Sequence, residues 1–163
     1  MLSRREAIAA SGSALFLAGC GTKHARLLAG KADDLPILGT ALELERTQIA
    51  LYRAALGVLT GPRAAVARTA LEHEREHAAA LAEAIRELGG RPAAQRAAAA
   101  YERGFPANAT GDAWARYAIA FEERAVAGYA AAIPKLVNAR LRATFAAIMT
   151  TEAEHSTALG LAR

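Results

Sequence analysis

Glu74-Arg75-Glu76-His77-Ala78-Ala79-Ala80-Leu81 and Glu152-Ala153-Glu154-His155-Ser156-Thr157-Ala158-Leu159 are two copies of one pattern. Both Glu, the His and the Leu coincide at an offset of 78. Upstream of each copy, Ala41-Leu42-Glu43-Leu44-Glu45 through Tyr52 aligns with Ala118-Ile119-Ala120-Phe121-Glu122 through Tyr129 at an offset of 77. One extra residue between the halves is absorbed in a turn. Residues 34–163 are therefore expected to hold two related helical hairpins.

The punctuation agrees. Four long alanine-rich stretches follow Asp33-Asp34-Leu35-Pro36, which reads as a helix start. Gly61-Pro62 separates the first from the second, and Gly89-Gly90-Arg91-Pro92 ends the second. A long connection through Gly104-Phe105-Pro106 leads to Asp112, the expected cap of the third. The turn between the third and fourth is expected over Lys135 to Arg140, with Pro134 bending the helix before it and Asn138 in the left-handed conformation. The expected fold is all-α, a four-helix bundle of two hairpins joined by one long connection.

Steps of three and four give each helix an apolar stripe. The first is Leu38, Leu42, Glu45, Ile49, Tyr52, Leu56, Leu59, and the second Ala67, Ala70, Glu74, His77, Leu81, Ile85, Leu88. The third is Ala115, Ile119, Glu122, Val126, Tyr129, Ile133, Leu136, and the fourth Leu141, Phe145, Ile148, Glu152, His155, Leu159. Each buried face is interrupted by a Glu, whereas Glu43, Glu72, Glu76, Glu123 and Glu154 fall off the stripes and should be solvated. A buried carboxylate is destabilising by several kcal/mol unless it is paired or binds metal.

Glu45 precedes the Thr60–Gly61 turn by 15 or 16 residues, and Glu74 and His77 follow it by about 14 and 17. At about 1.5 Å per residue these groups are level. The same condition sets the second turn near Asn138. One Glu from each of two helices and a Glu-x-x-His from each of the other two is a set that holds paired iron or manganese ions in helical bundles. Two of the Glu would bridge both ions, and four carboxylates would balance two divalent charges in a low-dielectric interior. Without metal the acids should repel one another and some should be protonated near neutral pH.

Residues 34–163 thus resemble the ferritin-like di-iron carboxylate proteins: bacterioferritin, rubrerythrin and the small exported ferritin-like proteins. The resemblance implies that Glu45 and Glu122 are single-Glu ligands and that Glu74-His77 and Glu152-His155 are the paired ones. It also implies two iron ions (or manganese), redox chemistry of the ferroxidase or peroxidase kind with O2 or H2O2, and a tendency to form homodimers. No fifth helix and no cysteine-rich electron-donor module are expected. Tyr52 and Tyr129, two turns beyond Glu45 and Glu122, read either as core packing with a hydroxyl partner or as groups hydrogen-bonding or relaying electrons beside the ligands.

Residues 1–19 read as a leader. Ser3-Arg4-Arg5-Glu6 is a twin-arginine pattern, though Ala7 stands where an aromatic is usual, and an apolar stretch follows that is too short to stay in a bilayer. Leu17-Ala18-Gly19-Cys20 resembles a lipobox, so Cys20, the sole cysteine, is the expected lipidation site. Residues 20–33 would then tether an exported lipoprotein to a membrane face of the cell envelope. With no second cysteine, disulfides, zinc ribbons and rubredoxin-type iron sites are excluded. The formal charge of +4, falling to +3 as Arg4, Arg5 and Glu6 leave, is scattered, so nucleic acid is not an expected partner.

Two rivals stand beside this reading. His73-Glu74-Arg75-Glu76-His77 fits His-Glu-x-x-His, the zinc-protease helix, but Thr151 replaces His73 in the second copy. The other rival is a metal-free bundle, tethered as a structural or interaction module, with Arg46, Arg75 or Arg124 neutralising the acids from beside the stripes.

Overall fold

The computed structural model describes residues 22–106 and 108–162. The expected leader and Cys20 lie outside them. Helix α1 spans Thr22–Ala55, α2 Gly61–Glu87, a single-turn α3 Ala98–Tyr101, α4 Gly111–Ala132 and α5 Ala139–Leu161. No strand occurs among the described residues, and no described helix is long and apolar enough to cross a membrane.

The architecture is the expected pair of hairpins. α1 packs most extensively on α2 and α4 on α5, and the two hairpins meet more sparsely through α1–α4 and α2–α5. Residues 88–110 return along the bundle from the end of α2 to the start of α4, with α3 laid against α1. Glycine is required where α2 ends. Gly89 adopts φ 80°, and a Cβ on Gly90 would stand 2.6 Å from Leu35 Cδ2 and 3.0 Å from Ile85 Cγ2.

Three end signals act differently from expectation. α1 begins at Thr22 rather than Asp34 and carries Pro36 inside it. The Asp34 carboxylate is instead buried, accepting hydrogen bonds from the Val137 and Asn138 amides at 2.8 and 3.0 Å, and so ties α1 to the turn before α5. The cap of α4 is Thr110, whose hydroxyl accepts from the Ala113 amide. Asp112 lies one step inside the helix, where its charge suits the N-terminal dipole and pairs with Arg63. Asn138 has φ −78° and caps the start of α5 through its side chain. The preceding helix closes through a 3-10 turn, Ile133–Lys135, around Pro134, so no left-handed residue is needed.

The core is divided. One apolar cluster, including Leu51, Leu59, Leu71, Trp114 and Leu159, fills the end near the α1–α2 turn. Another, including Leu38, Leu42, Leu81, Phe145 and Ile148, fills the end near the α4–α5 turn. The interrupting acids lie between them, away from water at either end. Trp114 packs edge-on against Phe105 at 6.0 Å, as expected of a residue closing the bundle end.

Candidate metal centre

Glu45 of α1, Glu74 of α2, Glu122 of α4 and Glu152 of α5 are each 0% exposed, and His155 is 4% exposed. His77 is half-buried. The six converge as two overlapping groups, Glu45/Glu74/His77/Glu152 and Glu74/Glu122/Glu152/His155. Within each group one ligand atom per residue lies within 4.8 Å of every other. Glu74 and Glu152 belong to both groups, the place expected of bridging carboxylates.

The imidazoles occupy the space between the acids. His77 Nδ1 stands 3.1 Å from Glu152 Oε1, 3.2 Å from Glu45 Oε2 and 3.5 Å from Glu74 Oε2. His155 Nδ1 stands 3.1 Å from Glu74 Oε1, 3.7 Å from Glu122 Oε1 and 3.8 Å from Glu152 Oε2. Among the described residues no Lys or Arg pairs with these carboxylates. Arg46 is held by Glu43 at 2.6 Å, Arg124 lies over Phe121, and Arg75 is exposed.

The electrostatics follow from burial. Desolvation raises the Glu45 and Glu122 carboxyls well above their ordinary value, outweighing their histidine hydrogen bonds. Desolvation also pushes Glu152 up, but the neighbouring His155 and His77 imidazoles outweigh it and hold this carboxyl low. For His77 and His155 desolvation is overcome by the surrounding carboxylates, which push the imidazoles up to about 12 and about 11. The metal-free site therefore stores protons where cations would stand.

Both tyrosines hold the outer acids, crosswise. The Tyr52 hydroxyl on α1 donates to Glu122 Oε1 on α4, and the Tyr129 hydroxyl on α4 donates to Glu45 Oε1 on α1. Desolvation first, and then the carboxylate each faces, raises both phenols, so they remain donors. A cleft of about 270 Å³ between α1 and α4, lined by Ile37, Ala41, Leu44 and Phe145, reaches Tyr129 from the surface.

Two contacts here have no counterpart in the sequence reading, which passes over Gln48 and considers His73 only as a zinc ligand. Gln48, fully buried, donates through Nε2 to Glu122 Oε2 at 2.8 Å and Glu152 Oε2 at 2.6 Å. Its signal was its spacing of three from Glu45, on the side of the helix that buries Tyr52. His73 belongs to neither ligand group. Its Nδ1 meets His155 Nε2 at 2.9 Å across nearly parallel rings. The two His of the protease motif thus do not converge.

The residues fit a metal pair on one internal observation. Both Glu74 oxygens, Glu152 Oε1 and His155 Nδ1 are buried without a directed hydrogen bond, although oppositely charged groups stand close by. Buried polar atoms are ordinarily satisfied. These four point into the space the six side chains enclose, and two of them belong to the shared carboxylate Glu74.

Comparison with known proteins gives the fold a context. A family described as ferritin-like domain matches residues 33–162. Among solved structures, a conserved hypothetical protein, rv2844, from Mycobacterium tuberculosis superposes with a TM-score of 0.68 at 17% identity, covering 79% of this chain and 96% of that one. A dodecameric thioferritin, the bacterioferritin-related protein from Bacteroides fragilis, superposes with a TM-score of 0.69 at 21% identity, covering 86% of this chain and 91% of that one. At these identities the likeness speaks for the fold alone. No curated protein matches the chain.

Proposed function

We propose that this chain, which belongs to the ferritin-like domain family, binds two metal ions between its hairpins and serves as a redox protein acting on O2 or H2O2. The observation that carries the reading is the set of buried, unpartnered ligand atoms on Glu74, Glu152 and His155. Glu45 and His77 would hold one ion, Glu122 and His155 the other, and Glu74 and Glu152 would be shared. Iron, when bound, supplies the electron-transfer reactivity toward dioxygen or peroxide, and carboxylate with imidazole also suits manganese.

The protein's own contribution is positional. Tyr52 and Tyr129 fix the outer carboxylates: Tyr129 on Oε1 leaves Glu45 Oε2 facing His77, and Tyr52 with Gln48 holds both oxygens of Glu122 in place beside His155. The two apolar clusters close both ends of the site and keep bulk water out. The cleft ending at Tyr129 gives a small apolar oxidant a route from the surface. His77 and His155 release the protons they store as the ligands are engaged.

The test is metal content of residues 21–163, reconstituted anaerobically with ferrous iron. About two irons per chain, lost in Glu45→Ala with Glu122→Ala, is the expected result, followed by oxygen or peroxide consumption by the loaded protein. A well-folded helical protein without metal would overturn the reading and leave the tethered, metal-free module. The leader motif extends the proposal to an exported, lipid-anchored protein of the cell envelope. Incorporation of labelled palmitate, abolished in Cys20→Ala, tests that part.

A further inference from the structure

The repeat that builds the site makes its halves comparable residue by residue, and two positions break it. The offset of 77 that pairs Glu45 with Glu122 and Tyr52 with Tyr129 pairs Gln48 with Ala125. The offset of 78 that pairs Glu74 with Glu152 pairs His73 with Thr151. Both departures act on one side of the site.

Gln48 is 0% exposed and its amide bridges Glu122 and Glu152. Nε2 must face them, because a carbonyl oxygen there would repel two carboxylate acceptors. Ala125, equally buried, offers nothing to Glu45 and Glu74, and both Glu74 oxygens lack a hydrogen bond. His73 braces the far nitrogen of His155 at 2.9 Å. Thr151 turns its hydroxyl back to the Ala147 carbonyl of its own helix, so His77 gains no such brace from it. The imidazole side chains differ in exposure too, 14% for His77 and 5% for His155.

We propose that Gln48 is a positioning residue that makes the two ion positions unequal: the position of Glu74, Glu122, Glu152 and His155 retains its ion, and that of Glu45, Glu74, His77 and Glu152 exchanges its ion with solvent. The inference rests on the di-metal reading above. A ligand fixed by an outer hydrogen bond loses less freedom when it coordinates, and removing such a partner typically weakens metal affinity about 10–100-fold. The braced position has Gln48 on two carboxylates and His73 on its imidazole. The other shares Glu152, and with it one Gln48 bond, but of the ligands that belong to it alone only Glu45 is held, by Tyr129, which Tyr52 on Glu122 matches.

The experiment loads the metal-free protein anaerobically with manganese(II), adds excess chelator, and follows released manganese by electron paramagnetic resonance. Wild type should release two ions in two equal phases separated by about tenfold or more. Gln48→Leu should speed the slow phase roughly 10–100-fold and the fast phase by less, because of the two carboxylates that Gln48 holds only Glu152 belongs to the other position. Glu45→Ala should keep one slowly released ion and Glu122→Ala one rapidly released ion, and this pair carries the test if Gln48→Leu does not fold. Two ions leaving wild type in a single phase, or a slow phase indifferent to Gln48, overturns the inference while the di-metal reading stands. No manganese or iron uptake at all overturns both.

Discussion

Removing metal should lower the stability of this bundle by several kcal/mol. Four buried ligand atoms have no directed hydrogen bond: Oε1 and Oε2 of Glu74, Oε1 of Glu152 and Nδ1 of His155. A polar atom with no partner at all costs about 1–3 kcal/mol, but Glu74 Oε1 and His155 Nδ1 face each other at 3.1 Å and Glu152 Oε1 faces His77 Nδ1 at 3.1 Å, so the metal-free site is partly compensated. Two bound ions relieve that penalty. At a free ion concentration of about 100 times Kd, each position adds about 2.7 kcal/mol. A domain of this size gains about 3–5 °C in Tm per kcal/mol, so the expected rise is roughly 15–25 °C. Circular dichroism melts at pH 7, with chelator and then with manganese(II), measure it. Glu74→Leu with Glu152→Leu removes three of the four unpartnered atoms at similar volume. That double variant should melt about 1–4 kcal/mol higher than the metal-free wild type and show no response to metal. A wild-type midpoint indifferent to metal, combined with a less stable double variant, would refute the reasoning and mark the acids as satisfied structural groups.

The other predictions concern single groups. Tyr52→Phe and Tyr129→Phe each remove one hydrogen bond to a buried carboxyl and should weaken metal binding about 10–100-fold, measured by competition with a chelating dye. In the metal-free protein Glu45, Glu122, His77 and His155 all have folded-state values raised above the ordinary ones. Such groups stabilise fully at low pH and withdraw as pH rises through the raised values. The carboxyl part is present in full below about 4.5 and fades upward from there, while the histidine part is present in full below about 6.5 and is lost as pH rises from there toward 11–12. Glu152, held low, loses its contribution only in acid below 4.5. Metal-free Tm should therefore fall as pH rises through the raised Glu45 and Glu122 values, while metal affinity rises. Parallel trends would contradict the assigned protonation. His73→Ala should keep two ions per chain, whereas loss of all metal would revive the zinc-protease reading. Asp34→Ala leaves the Val137 and Asn138 amides without their acceptor and should lower the unfolding free energy, measured by urea titration, by about 1–3 kcal/mol.

The fold was legible because periodicity and repetition spoke together. Glu45, Glu74, Glu122 and Glu152 sat on apolar stripes at equal heights, and the structure brings them together with both histidines. Helix ends were read less well. Asp34 and Asp112 looked like start signals, but the chemistry that decides a cap is whether a side chain reaches a free amide, and both found other partners. Gln48, and the contact of His73 with His155, are not legible because their meaning is relational. A buried amide matters here only because Glu122 and Glu152 arrive from other helices, and no local pattern announces that.

The sparse contact between hairpins has a consequence for how the chain assembles. Contacts within α1–α2 and α4–α5 are local in sequence and form early, whereas the hairpins meet across the 23-residue return of residues 88–110. Docking is thus the last step, and it alone gathers the four carboxylates into one volume. Each hairpin waits with a polar notch in an otherwise greasy face, and each notch carries the same one-Glu, one-Glu-x-x-His complement. The matching hairpin of a second chain is as acceptable a mate as the chain's own. The same topology therefore admits closure within one molecule and exchange of halves between two.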